Sequence, residues 1–346
     1  MRIATYNVEW FSFLFDTDGT PFDDGEWSKR HDVTRAQQLA AVGRVFQEMD
    51  ADAVMVIEAP HTSKRRSGTV AIEGFAERFR LRARKALSGF FNETRQEITL
   101  LYDPGRAVAE HDPKGRITGK DGAEGAPRFD GVLRYDLDID AAPEKVVFSK
   151  PPLEVAFLPV DGPMLRLIGV HAKSKAPHGA VTLDEIMAVS IANRRKQLAQ
   201  CVWIRRRVEE HMEGGEPVIV LGDFNDGPGL DEYEQLFGRS GVEIVLGEGD
   251  GVRMMEPHAK RALSRRLSAM PTTARFWISS EQRYLSALID YVMLSPDLRA
   301  HHPRWRIWHP FDDPVCFQDP ELSHALLTAS DHFPVSVDLD WTVVGS

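Results

Sequence analysis

The densest chemical signal in the chain is Val218-Ile219-Val220-Leu221-Gly222-Asp223-Phe224-Asn225, an apolar run ending in a carboxylate and an amide two residues apart. In extended chain, residues i and i+2 face the same side. Asp223 and Asn225 would then project together while Phe224 turns back into the core. A carboxylate can take a proton from water and an amide can hydrogen-bond a phosphoryl oxygen, so the pair suits phosphate chemistry. An Asp/Asn turn after a strand, helped by Gly227 and Pro228, is the plainer alternative.

Other chemical groups also sit at the ends of apolar runs. Ser330-Asp331-His332-Phe333-Pro334 precedes the last such run, and an adjacent Asp and His there can fan out, one to a metal and one to a phosphate. Asp290 interrupts Leu288–Leu294. A buried charge is costly unless partnered, and an imidazolium is the obvious partner. His171 ends Ile168-Gly169-Val170, with Lys173 on the same face. Glu58 ends Val54–Ile57, and Asn7 and Glu9 follow the first run on one face. Singly, each has a bland reading as surface polarity, a strand-end cap or a structural histidine.

The elements that must position these groups read as short buried strands at Arg2–Val8, Ala53–Ile57, Ile98–Tyr102, Leu153–Phe157, Leu165–Val170, Val218–Leu221, Leu288–Leu294 and Val335–Trp341. Leu39, Val42, Phe46 and Met49 recur at helical spacing after Asp32 or Thr34 as N-cap, and a longer helix is predicted across Thr182–Met212. Strands alternating with helices point to an α/β architecture. Segments 103–145 and 247–283 are richer in Gly, Pro and Asp and read as insertions. No composition break separates two cores, so one domain over residues 1–346 is expected.

Taken in order, Asn7 and Glu9, Glu58, His171, Asp223-x-Asn225, Asp290 and Asp331-His332 resemble the endonuclease/exonuclease/phosphatase superfamily. Pancreatic-type deoxyribonucleases are nearest in appearance, followed by apurinic-site endonucleases and bacterial extracellular nucleases. Phe148-Ser149-Lys150-Pro151-Pro152-Leu153 looks like a strand of the deoxyribonucleases. The resemblance implies a four-layer α-β-β-α sandwich of two packed mixed sheets flanked by helices, acting as a phosphodiesterase or nuclease. It implies Glu58 as the principal Mg²⁺ ligand, with Glu9 and Asp331 helping to hold the metal or its waters. Mg²⁺, with Mn²⁺ as substitute, fits because it is a hard cation that prefers oxygen. It further implies Asp223 as the group that orients or deprotonates water, with Asn7 and Asn225 on the phosphoryl oxygens. His332, oriented by Asp290, would donate to the phosphate, while His171 assists the leaving group with Glu97 as its partner. The chain departs from the pattern at Ile57, where Gln is usual, and at Ala59-Pro60, which lack the deoxyribonucleases' minor-groove Arg.

The formal charge, 42 cationic against 52 acidic residues, is −10, which argues against a protein that coats nucleic acid electrostatically. Local basic runs remain at Lys64-Arg65-Arg66, at 260–266 and in Arg304-Trp305-Arg306-Ile307-Trp308, the last alternating like a half-exposed strand. Only Cys201 and Cys316 are present, so zinc and disulfide frameworks are not expected, and the cytoplasm is the default compartment. His301, His302 and His309 lack zinc spacing. No run spans a membrane and no obligate protein partner is evident. The expected partner is a phosphodiester substrate, with nucleic acid one candidate. Small phosphoesters such as inositol phosphates or phospholipid head groups form the alternative substrate class. A catalytically inactive binding module on the same fold is the third reading, and the complete residue set opposes it.

Overall fold

The computed structural model describes residues 1–136, 143–177, 179–228, 234–247, 249, 251–264, 270–278 and 282–343. A six-stranded mixed sheet runs β14 (Arg304–Ile307), β15 (Val335–Asp338), β1 (Arg2–Asn7), β2 (Ala53–Ala59), β4 (Glu97–Tyr102), β3 (Lys85–Ser88). A five-stranded sheet runs β13 (Asp290–Leu294), β10 (Val218–Asp223), β9 (Leu165–His171), β8 (Leu153–Pro159), β5 (Ala107–His111). Two short ribbons complete the strands, β6 (Leu133–Tyr135) with β7 (Glu144–Val146) and β11 (Ala274–Ile278) with β12 (Arg283–Ala287).

Period-two alternation sorts each strand's side chains between layers. Ile3, Ala53, Met55, Ile57, Leu167, Ile219, Leu221, Val292 and Leu294 pack between the two sheets. Val54, Val56 and Leu101 face the other way, against α1 (Arg35–Met49) and α2 (Gly68–Arg78). Ile168, Val170, Val218 and Val220 pack against α3 (Leu183–Glu213). The result is helix, sheet, sheet, helix: a four-layer α-β-β-α sandwich. Thr34, one of the two caps expected for α1, and Thr182, at the start of α3, each form a capping box.

The segments that read as insertions carry ordered elements. The first supplies β5, the edge of the five-stranded sheet. The second holds the helix Pro257–Leu263 and strand β11. Both strands are only five residues long and sit among Gly, Pro and Asp, so they read as loop. The run at 304–308 is β14, paired with β15 rather than offered to a ligand. Trp305 donates to the Val292 carbonyl at 2.7 Å and Arg306 pairs with Asp313 at 2.7 Å.

Candidate active site

Alternation carried to the ends of the strands builds one face of the site. Asp223 continues the inward series Ile219, Leu221 on β10. His171 lies opposite Asp223 across the β9–β10 pair, and Asp290 lies opposite it across β10–β13. Three chemical side chains therefore form one row across three adjacent strands. Asn7 ends β1 on the facing sheet, on the same inward face as Ile3, and its Nδ2 donates to Asp223 Oδ2 at 3.0 Å. Gly222 (φ 141°) permits the close β9–β10 pairing that sets His171 beside Asp223, since a Cβ there would fall 2.0 Å from the Val170 carbonyl oxygen.

Asn225 reaches the site by a different route from the extended pairing its spacing suggests. Asp223 is the last residue of its strand, and Asn225 sits at φ 50°, a left-handed turn that Asn tolerates. Its backbone N–H donates to Asp223 Oδ1 at 2.7 Å, and its Nδ2 donates to the Ala172 carbonyl at 3.1 Å. Phe224 turns into the core against Tyr291, as the alternation requires.

His332 closes the row. Its Nδ1 donates to Asp290 Oδ2 at 2.8 Å, and both residues are buried. Burial favours the neutral ring, but the Asp290 charge and hydrogen bond outweigh it, with Asp223 and Asp331 adding to them. His332 is therefore held well above the usual imidazole range. His171 is the opposite case: burial, Lys150 and His332 drive it well below that range. Asp223 is pushed up to about 7 by burial and by the Asp290 charge, against the pull of His332. The site thus pairs a cationic histidine with a carboxylate poised near neutrality.

Glu58 depends on a local irregularity. Regular alternation would send it towards α1 and α2 with Val54 and Val56. The β2–β4 register instead slips between Ile57 and Ala59, and Glu58 takes φ 62°. A bulge of this kind re-aims one side chain. Glu58 then shares its electrostatic surroundings with Lys150, His332 and Asp331, and burial raises its pKa. Glu9 is raised to about 7 by burial and by Asp331, although Arg30 makes an ion pair with it. Ser330 ties these segments together, its hydroxyl donating to the Asn7 carbonyl at 2.8 Å and accepting from the Glu9 N–H at 3.1 Å.

Two sets of groups could hold a cation. Among the described residues, Asp223, Asp290 and His332 bring ligand atoms within 4.8 Å of one another. A protonated His332 bound to Asp290 is a poor ligand, because metal ligation needs the neutral ring. Glu9, Glu58 and Asp331 offer oxygen alone, the donor type a hard divalent ion prefers, although their ligand atoms do not converge within 4.8 Å and Glu9 is ion-paired with Arg30. Asp331 Oδ1 and Asn7 Oδ1 are buried without a hydrogen-bond partner, as are Asp290 Oδ1 and Glu97 Oε1. Buried polar atoms in this state call for a ligand or another explanation, and the residues fit a magnesium-type ion.

Some expected residues lie elsewhere. Glu97 is on β4 with Thr99 and Leu101, facing outward, where it accepts from Asn92 at 2.8 Å. It does not partner His171; Lys150 does, with its Nζ 3.0 Å from Nε2. Arg66 of the basic run is buried and donates to the Ser12 and Phe15 carbonyls, leaving Lys64 and Arg65 exposed. Lys175 is paired with Asp226 at 2.7 Å. Residues 265 and 266 of the other basic run lie outside the described residues. The sequence singled out neither Arg30, which sits in an aperiodic segment, nor Lys150, whose one cue is its place in the Phe148–Leu153 segment. A cavity of about 270 Å³ opens beside Asn225, walled by Phe276, Leu285, Ala287 and Ile289.

A family model for the endonuclease/exonuclease/phosphatase family matches residues 4–332. The chain belongs to this family. No curated protein matches it. Among solved structures, an AP endonuclease from Archaeoglobus fulgidus is similar at 11% identity and TM-score 0.52, covering 98% of this chain and 99% of that one. The 3′ phosphatase NExo from Neisseria, bound to product DNA hairpin, is similar at 14% identity and TM-score 0.50, covering 99% and 100%. A mannosyl-6-phosphatase from Bacteroides thetaiotaomicron shows 14% identity and TM-score 0.48 over 98% and 99%. The first two likenesses bear on fold. Family membership makes the chain a phosphoester hydrolase in general terms.

Proposed function

We propose that this chain is a Mg²⁺-dependent phosphodiesterase that hydrolyses its substrate by direct attack of water. The observation that carries the reading is the buried row of His171, Asp223 and Asp290 facing Asn7 and His332. Glu58, Glu9 and Asp331 would hold Mg²⁺ or Mn²⁺, which supplies Lewis-acid neutralisation of phosphoryl charge when bound. Asp223 orients and deprotonates the water. Its carboxylate is raised to about 7, matched to proton transfer near neutral pH. His332 donates from Nε2 to a phosphoryl oxygen, because Nδ1 is engaged by Asp290. Asn7 and Asn225 provide amide donors to the same phosphate once substrate displaces their contacts with Asp223.

The substrate is read as a diester, with a nucleic-acid strand the leading candidate. The net charge of −10 favours the alternative of a small phosphoester, since a strand would need a locally assembled basic surface. Both cysteines are free and buried, in keeping with the reducing compartment we assign, the cytoplasm. Among the described residues no helix is long and apolar enough to cross a membrane.

Turnover of bis(p-nitrophenyl) phosphate with Mg²⁺, Mn²⁺ or EDTA tests the chemistry. Full activity in EDTA, or none with either metal, would end the proposal. Duplex DNA, single-stranded DNA, RNA and inositol phosphates assayed across a salt series then separate the substrate classes. Cleavage of a strand should fall steeply as salt rises, whereas a small ester should respond little.

A further inference from the structure

The insertion at 247–283 helps to wall a second cavity, at the end of β13 remote from Asp290. Met255 exchanges backbone hydrogen bonds with Leu294 at 2.7 and 3.0 Å, and the helix Pro257–Leu263 follows directly. Asp290 and Leu294 stand at opposite ends of β13, on the order of 14 Å apart at the usual strand rise. The cavity is thus well removed from the carboxylate row. Its volume is about 710 Å³, within the range of small-molecule sites.

The walls divide by chemistry. Met254, Met255, Leu263 and Trp305 give the apolar part, and Met255 and Trp305 also pack against the core between the sheets. Methionine is unbranched and polarisable, so such a wall adapts to the shape of an apolar body. Arg253, Lys260 and Arg299 supply the cationic part, all three exposed, and none makes an ion pair among the described residues. Arg253 donates to the Gly249 carbonyl at 3.2 Å, and Arg299 reaches the Met255 sulfur at 3.5 Å, a weak acceptor. Elsewhere on this acidic chain, exposed arginines meet carboxylates: Arg78 pairs with Asp23 and Arg82 with Asp50.

The two carboxylates of the cavity are engaged within their own segments. Glu243 Oε2 accepts from the Ser240 N–H at 2.7 Å and from its hydroxyl at 2.8 Å. The buried Glu256 side chain accepts from the Ala259 N–H and from His258 Nδ1 at 2.8 Å. Both hold the starts of helices, which leaves the three cations unmatched. An apolar wall beside unmatched cations is complementary to a molecule with an apolar body and one anionic end.

We propose that this cavity binds a small amphipathic carboxylate. The carboxylate meets Arg253, Lys260 and Arg299, and the apolar body lies on Met254, Met255 and Trp305. Guanidinium groups suit this role because their donors form a fork that matches a carboxylate. The site takes no part in the phosphate chemistry, so its test reads binding rather than turnover.

The full chain, labelled with ¹³C-methyl methionine, is titrated with octanoate, octanamide and octylammonium. Met254→Leu and Met255→Leu assign the two resonances. Octanoate should shift both methyls saturably. Octanamide, equal in length but uncharged, should bind about 10-fold more weakly or worse, because hydrogen bonds to a charged group are the stronger kind. Octylammonium should bind more weakly still. Lys260→Gln/Arg299→Gln should weaken octanoate binding by about 10-fold or more, and both side chains are exposed, so the fold is retained. Methyls that octanoate does not move would overturn the inference. So would octanamide or octylammonium binding as tightly as octanoate, or an octanoate affinity unchanged in the double variant. Any of these results leaves the phosphoesterase reading intact, just as absence of metal-dependent turnover leaves this site intact.

Discussion

Replacing Asp290 with Asn tests the charge relationship at the centre of the proposed mechanism. The 2.8 Å contact between His332 Nδ1 and Asp290 Oδ2 can survive the change, because the amide oxygen accepts as the carboxylate did. What disappears is the negative charge that outweighs burial and holds His332 protonated. A hydrogen bond to a charged group contributes about 1.5–3 kcal/mol. At roughly 1.4 kcal/mol per unit, its loss moves the His332 pKa down by about one to two units. The high-pH limb of kcat/KM should shift down with it, costing about 10–100-fold at alkaline pH and much less near pH 6. The assay is a pH series on bis(p-nitrophenyl) phosphate at saturating Mg²⁺. Stability follows the same sign: the ion pair's contribution is complete below the unfolded histidine's pKa and is lost as pH rises through the folded value. Melting curves of Asp290→Asn should show that loss completed at lower pH than in the wild type, because only the folded-state value moves. A uniform rate loss at every pH, or an unmoved alkaline limb, would refute the claim that Asp290 acts through the charge on His332.

Further outcomes follow from the same geometry. Asp223→Asn and His332→Ala should each reduce kcat by about 10²–10⁴-fold in correctly folded protein, more than Asp290→Asn does at pH 6. A fully active Asp223→Asn enzyme would leave the Gly-Asp-Phe-Asn segment as a turn. In the wild type, kcat/KM should rise as pH climbs through about 7, where Asp223 loses its proton; a flat acid limb would exclude it as the base. Glu58→Gln should raise the Mg²⁺ concentration needed for half-maximal activity by more than 10-fold, within the range for altered metal sites. Glu97 is raised to about 7 by burial, so its folded-state proton is lost at a cost that grows by roughly 1.4 kcal/mol per pH unit between 4.5 and about 7. Glu97→Gln should therefore melt higher than the wild type at pH 8 and equally at pH 4; a lower melting point at pH 8 would show that the charged form is stabilising.

What the sequence made legible is what a period of two can encode. Ile219, Leu221 and Asp223 alternate on one strand, so an apolar interior on that face delivers the carboxylate to its edge. The same rule delivers Asn7 after Ile3 and His171 after Leu167. Asp290 is legible for a related reason, since a carboxylate among apolar strand residues requires a buried partner, and His332 is that partner. Pattern also gave Thr34 as one of two candidate caps for α1, because a cap is local in sequence.

The unread features share a different cause: each is settled by contacts between segments far apart in the chain. Glu58 reaches the site because the β2–β4 register slips beside it, and a pairing irregularity leaves no mark in the residues of one strand. Alternation alone would have buried that carboxylate against the helices. Glu97 shows the converse, since proximity in sequence order suggested a role that its outward face on β4 denies. Arg30 meets Glu9 across an aperiodic loop, and Lys150 meets His171 because β8 and β9 are antiparallel neighbours. Local pattern thus specifies which face of a strand a group occupies, whereas the charge environment that sets its chemistry depends on the pairing of strands. The difference between His171 and His332 follows from this. Both end or precede buried strands and look alike in sequence, yet one lies beside an ammonium and the other beside a carboxylate, so they are driven to opposite protonation states.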